Sequence, residues 1–136
     1  LASELKALKP VLGLCFGHQL MAHHFGATVG FLHKDETKIL GSRTLSWNKQ
    51  NYTLAMSHRQ GVTKLSDGLL ELMPESNLGY DLIKHKTLPF VGCQAHPEAS
   101  EKFLINDCQV KDYSERVNIL DAGSKFLLNW YQNFVQ

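Results

Sequence analysis

Hydrophobic and polar positions change period several times along the chain. Residues 2–9, with Leu5 and Leu8 on one face, read as an amphipathic helix broken at Pro10. The apolar run Val11 to Leu14 reads as a short strand, and Gly17 to Phe25 as a helix with Gly26 suited to its C-terminal cap. β-like pieces follow at Thr28 to Leu32 and Ile39 to Trp47, separated by the polar stretch 34–38. Tyr52 to Met56 alternates like a strand and leads into Ser57-His58-Arg59-Gln60-Gly61, read as a polar loop. Leu69 to Met73, Tyr80 to Ile83 and Pro89 to Ala95 read as further strands, with turns at Ser66-Asp67-Gly68 and Glu75-Ser76-Asn77. Residues 101–116 read as a loop holding a short helix. Beyond them, Val117, Leu120, Ser124, Leu127, Tyr131 and Phe134 recur at helical spacing, and Phe126 and Trp130 broaden the stripe. An aromatic stripe of this kind is more often core than ligand site, so it carries no chemistry. One strand–helix unit, then several strands, then a helix give an α/β sheet with antiparallel additions.

Composition narrows the function classes. The 136 residues are 43% hydrophobic and 20% charged, which suits one globular domain with a core. A formal net charge of +1 gives no reason to expect nucleic acid or an acidic membrane as partner. No apolar run reaches transmembrane length, and no signal-peptide pattern is present. Cys15, Cys93 and Cys108 are widely spaced, odd in number and without a C-x-x-C. They point to a reducing, cytoplasmic setting, with neither a disulfide framework nor a metal site. His18, His23, His24 and His33 do not form an H-x-x-x-H on one helical face, so zinc is not expected.

The candidate chemistry begins at Gly13-Leu14-Cys15-Phe16-Gly17. This G-x-C-x-G is the cysteine counterpart of the G-x-S-x-G elbow, a sharp strand-to-helix turn that holds a nucleophile clear of its sheet. Glycines at 13 and 17 let the backbone fold tightly around Cys15 and leave room for a substrate. A helix N-terminus beside the sulfur favours a thiolate, though by only about 0.3–2 kcal/mol. A partner histidine is therefore expected. A lone cysteine is usually a core residue; the glycines and the strand–turn–helix setting reverse that preference. The partner is sought in Phe90-Val-Gly-Cys-Gln-Ala-His96-Pro97-Glu98. Pro97 holds His96 extended, and residues two apart in extended chain share a face. Glu98 can then reach one imidazole nitrogen while the other faces a nucleophile, the logic of a triad.

Val11-Leu-Gly-Leu-Cys-Phe-Gly-His-Gln19, Met56-Ser-His58 and Gly92-Cys-Gln-Ala-His-Pro-Glu98 resemble the signature blocks of class I glutamine amidotransferase domains, in the family's order and spacing. The Ser57-His58 block followed by Val62, Leu65 and Gly68 is most similar to the GMP synthase-type glutaminases and their stand-alone relatives. The resemblance implies a flavodoxin-like doubly wound domain, no cofactor, and Cys15, His96 and Glu98 as nucleophile, base and orienter. It also implies that Phe16 N–H lines the oxyanion hole, that Gln19 holds the substrate glutamine, and that Ser57, His58 and Arg59 meet its amino-acid end. Ammonia would pass to a synthetase chain or domain.

Two departures accompany the resemblance. The family's Gly-rich loop, source of the second oxyanion N–H, lies well upstream of the nucleophile, and the residues before Cys15 form no such loop. The chain is therefore expected to be the C-terminal part of one domain, with residues missing before Leu1, and to be a poor glutaminase as it stands. Ala95 stands where an aromatic residue is common, which is expected to widen the approach to His96. The expected reaction is hydrolysis of the side-chain amide of L-glutamine. The alternatives are a γ-glutamyl conjugate hydrolase with the same triad, and a non-catalytic binding or regulatory domain.

Overall fold

In the computed structural model, which describes residues 9–135, the apolar run Val11–Leu14 forms strand β1 and turns directly into helix α1 (Phe16–His24). The helix expected over residues 2–9 lies outside the described residues, Lys9 excepted. The elements then follow as β2 (Thr28–Phe31), β3 (Ile39–Trp47), β4 (Gln50–His58), β5 (Gln60–Lys64), β6 (Leu69–Glu71), β7 (Leu82–His85), β8 (Phe90–Cys93), α2 (Glu101–Asn106) and α3 (Tyr113–Phe134). They divide into two compact units. One holds the residues up to Thr37 with Arg59–Gln94; the other holds Lys38–His58 with the residues from Ala95 on.

The first unit is built on a four-stranded mixed sheet in the order β1-β8-β7-β6, beside a two-stranded β2–β5 ribbon. β1 and β8 run parallel, in register from Val11↔Phe90 to Leu14↔Cys93, while β7 is antiparallel to both its neighbours. The α/β class with antiparallel additions is thus as the sequence pattern indicates, and among the described residues its parallel component is the β1–β8 pair. All of β8 is buried, which is why it reads as an unbroken apolar run. Met21 and Ala22 of α1 pack into a core with Ala27, Val62, Leu69, Ile83 and Phe90. His18 is fully buried, and its Nε2–H donates to the Tyr80 carbonyl at 2.9 Å. Gly92 makes space for that ring, because a Cβ there would collide with His18 Nδ1. α1 ends as expected: Gly26 takes a φ of 93°, and its N–H donates to the His23 carbonyl.

The second unit centres on the β3–β4 hairpin, paired without a break from Ile39↔His58 to Trp47↔Gln50. Asn48 and Lys49 turn it, both at positive φ (52° and 63°), as a tight hairpin requires. Ser100 caps α2 by accepting from Phe103 N–H, and Asp112 caps α3 by accepting from Glu115 N–H. Phe126 of α3 lies 5.3 Å from the Trp47 ring and 5.4 Å from the Tyr52 ring, centre to centre.

Several boundaries differ from the sequence pattern. α3 starts at Tyr113 rather than 117, because its cap is Asp112. Its inward face is rotated from the expected stripe: Ile119, Gly123 and Phe126 are buried, whereas Val117 and Tyr131 are exposed. The reason is Gly123, whose missing side chain lets the helix close against the Pro97 carbonyl and so fixes which face turns inward. The stretch 57–61 is strand, not loop, apart from Arg59. Ser57 and His58 complete the β3 ladder, and Gln60 and Gly61 pair with Phe31 and Gly30. β7 lies two residues further along than expected, starting at Leu82.

Candidate active site

Cys15 is the N-cap of α1 with φ 50° and ψ −105°. That backbone is strained for any residue with a Cβ, by about 1–3 kcal/mol. The surrounding ladder holds it there. Cys15 N–H donates to the Cys93 carbonyl at 2.8 Å, one step beyond the β1–β8 register, and the Cys15 carbonyl accepts from Gln19 N–H at 3.1 Å. The cysteine therefore sits at the C-terminal ends of two parallel strands, the position where α/β sheets bind ligands. Gly13 is needed for the turn, since a Cβ there would come within 2.9 Å of the Gly17 carbonyl oxygen. Gly17 is different: a Cβ would meet only open space, so its smallness leaves the approach open and relieves no clash. The Cys15 side chain does not cap α1, and the first-turn amides, beginning at Phe16, precede the helix's own hydrogen-bond ladder and can face a developing negative charge. Phe16 itself is 70% exposed.

Gln19 and Gln94 adjoin the sulfur. Gln19 Nε2 donates to the Gln60 carbonyl at 2.8 Å and to Gln94 Oε1 at 3.3 Å, and Gln94 Nε2 donates to Cys15 Sγ at 3.6 Å. The sequence reading missed Gln94. Its local signal is its place within the Gly92–Glu98 block, two residues before His96, while the sulfur it meets lies 79 positions away. A shallow cleft of about 180 Å³ beside the elbow is lined by Phe16, Gln19, Leu20, His23, Val29 and Gln60.

His96 and Glu98 belong to the second unit. His96 N–H donates to the Ala55 carbonyl at 2.8 Å, which ties the segment to β4. The contact expected from Pro97 is present: His96 Nδ1 lies 3.2 and 3.1 Å from the two Glu98 carboxylate oxygens. This leaves Nε2 as the nitrogen facing away from the acid. The Phe103 ring packs 4.8 Å from the imidazole, centre to centre. Partial burial acts to raise the Glu98 carboxyl, but the hydrogen bond and charge of His96 outweigh it and hold the group below its ordinary value.

Ser57 Oγ donates to the Asp107 carbonyl at 3.2 Å, and His58 is buried at the end of β4. Arg59 is exposed, in the first unit, with its carbonyl accepting from Leu32 N–H. The Ser57 hydroxyl is thus engaged within the second unit, and Ser57 and His58 both lie on β4 and not on a loop. Ala95, next to His96 in the chain, is wholly buried. Among the described residues, no group of three or more His, Cys, Asp or Glu side chains is placed to hold a metal ion, and no helix is long and apolar enough to cross a membrane. A larger cavity, about 530 Å³ in the second unit, is lined mainly by amides such as Asn48, Gln50, Asn129 and Asn133. Its one ionisable lining residue, Lys125, is ion-paired with Asp121 at 2.8 Å, and no cysteine or histidine lines it, so chemistry and not size selects the elbow.

The family described as "Glutamine amidotransferase class-I" matches residues 1–103, a span that takes in Cys15, His96 and Glu98. The chain belongs to the class-I glutamine amidotransferases. This amidotransferase chain is 33% identical over 121 residues to a glutamine-hydrolysing GMP synthase subunit from Methanocaldococcus jannaschii, covering 80% of this chain and 64% of that protein. It is 34% identical over 97 residues to the corresponding GMP synthase subunit from Thermococcus kodakarensis, covering 67% of this chain and 52% of that one. Its fold matches that of a glutamine amidotransferase from Thermotoga maritima with a TM-score of 0.64 at 20% identity, over 98% of this chain and 64% of the other. A putative GMP synthase subunit from Thermoplasma acidophilum gives 0.56 at 23%, over 88% and 60%. The chain thus spans less than two thirds of the length of each of these proteins.

Proposed function

We propose that the chain hydrolyses the side-chain amide of L-glutamine, with Cys15 as nucleophile, His96 as acid and base, and Glu98 orienting the imidazole. The thiolate attacks the carboxamide carbon and the carbonyl oxygen takes up the negative charge. The C–N bond then breaks as His96 protonates the departing ammonia, leaving a glutamyl thioester. Water, deprotonated by His96, attacks the thioester, and glutamate leaves with the thiol restored. The observation that carries this reading is the strained elbow at Cys15, φ 50° at a helix N-terminus. Phe16 N–H then serves the developing oxyanion. Gln19 has both Nε2 hydrogens engaged, so it meets glutamine through Oε1 and accepts from a substrate N–H. Ser57, His58 and Arg59 contact the amino-acid end, partly through backbone groups. Ammonia passes to a synthetase chain or domain, as the names of the GMP synthase relatives suggest. Three unbridged cysteines suit a reducing cytoplasm.

Labelling with a glutamine-mimicking chloroketone, followed by peptide mapping, tests the assignment. Modification is expected at Cys15, slowed by L-glutamine and not by D-glutamine, with Cys93 and Cys108 protected by burial. Equal modification of all three thiols, or indifference to L-glutamine, would overturn it. Protection by γ-glutamyl amides in place of free glutamine would move the substrate to that class.

A further inference from the structure

The three side chains that meet at the elbow fix one another's orientation. The Gln60 carbonyl can only accept, so it determines which end of the Gln19 amide is nitrogen. With that nitrogen also directed at Gln94, the Gln94 amide must present its oxygen to Gln19. Its NH2 is thereby turned to the sulfur, 3.6 Å away. Gln94 has little freedom to do otherwise. It is completely buried, and its own backbone N–H donates to the Asp81 carbonyl at 2.8 Å immediately beyond β8. We infer that Gln94 is a further functional residue, an N–H donor to Cys15 Sγ locked in its donating orientation by Gln19 and the Gln60 carbonyl.

The chemistry follows from the difference between a thiol and a thiolate. A neutral thiol is a weak acceptor and gains little from an amide N–H, whereas the anion gains a charge-assisted bond. The donor therefore favours the nucleophilic form and fixes the direction of its lone pairs. Because the amide is neutral, it does so without placing a cation against the sulfur. The catalytic meaning of this contact rests on Cys15 being the nucleophile. The contact itself does not, and it can be tested without glutamine.

The test is the rate of alkylation of Cys15 by iodoacetamide, followed by mass mapping across a pH series, in the chain and in Gln94→Met. The variant is expected to react about tenfold or more slowly near neutrality, from the strength of a hydrogen bond to a charged acceptor. The gap should close as rising pH ionises the thiol in both proteins. A loosened structure would instead change the rate by one factor at every pH, or speed it. Gln94→Glu, the same shape with the donor removed, should be slower still near neutrality because a carboxylate then faces the sulfur. If neither variant folds, Gln19→Leu, which keeps Gln94 but frees its amide to flip, must show a smaller loss with the same pH dependence. A wild-type profile in whichever of these variants folds overturns the inference. The chloroketone result stands or falls separately.

Discussion

Replacing Cys15 by glycine should leave the protein more stable than replacing it by alanine. At an ordinary position the order is the reverse, because glycine gives up about 0.5–1 kcal/mol more backbone freedom than alanine on folding. At φ 50° and ψ −105° a Cβ costs about 1–3 kcal/mol. Alanine keeps that cost and glycine removes it. Both variants lose the sulfur and its contact with Gln94, so those terms cancel in the comparison. The difference is about 0–2.5 kcal/mol in favour of glycine, and each kcal/mol moves the melting temperature by about 3–5 °C in a chain of this size. Urea and thermal unfolding followed by far-ultraviolet circular dichroism measure it. Tryptophan fluorescence would be a poor probe, since Trp47 and Trp130 both lie in the second unit. An alanine variant more stable than the glycine variant by the ordinary margin would show that the elbow stores no strain. The Cys15 assignment would then lose the observation that carries it.

Gly123→Ala should destabilise by about 1–3 kcal/mol in urea, because the new methyl meets the Pro97 backbone carbonyl between His96 and Glu98. The gain of about 1 kcal/mol usual for glycine to alanine in an open helix would refute this packing. His85 is held below its ordinary value by burial and by Lys84, and its Nδ1 accepts from the N–H groups of Thr87 and Leu88. Its contribution to stability is thus fully present above its unfolded value near 6.5 and is lost as pH falls through that value and the lower folded one. Unfolding midpoints should drop across that window in the protein and less so in His85→Asn; equal drops would count against the contact. Glu98 is also depressed, so its stabilisation is present above its unfolded value near 4.5 and disappears as pH falls through the lower folded one. Glu98→Gln should flatten that acid limb and slow glutamine hydrolysis by about 10²–10⁴-fold, while a fully active variant would remove Glu98 from the mechanism.

What the sequence determined by itself is what depends on near neighbours. The Cys15 elbow is written in Gly13 and the helix that follows it, because the clash that excludes a side chain at 13 comes from residue 17. The His96–Glu98 pair is equally local, one proline apart on extended chain. Family membership was legible because those short blocks occur together in one order. What only the tertiary structure decided depends on residues far apart in the chain. Ser57 and His58 look like loop residues until β3 supplies their backbone partners. The inward face of α3 is set by Gly123 meeting Pro97, a choice that periodicity cannot make when apolar residues lie on several faces of the helix. Gln94 lies inside the Gly92–Glu98 block, but nothing local gives its amide a role, since it is oriented by Gln19 and directed at a sulfur just past the end of β1. Backbone geometry and i,i+2 contacts are encoded over a few residues; hydrogen-bond direction and close packing exist only once the strands have paired.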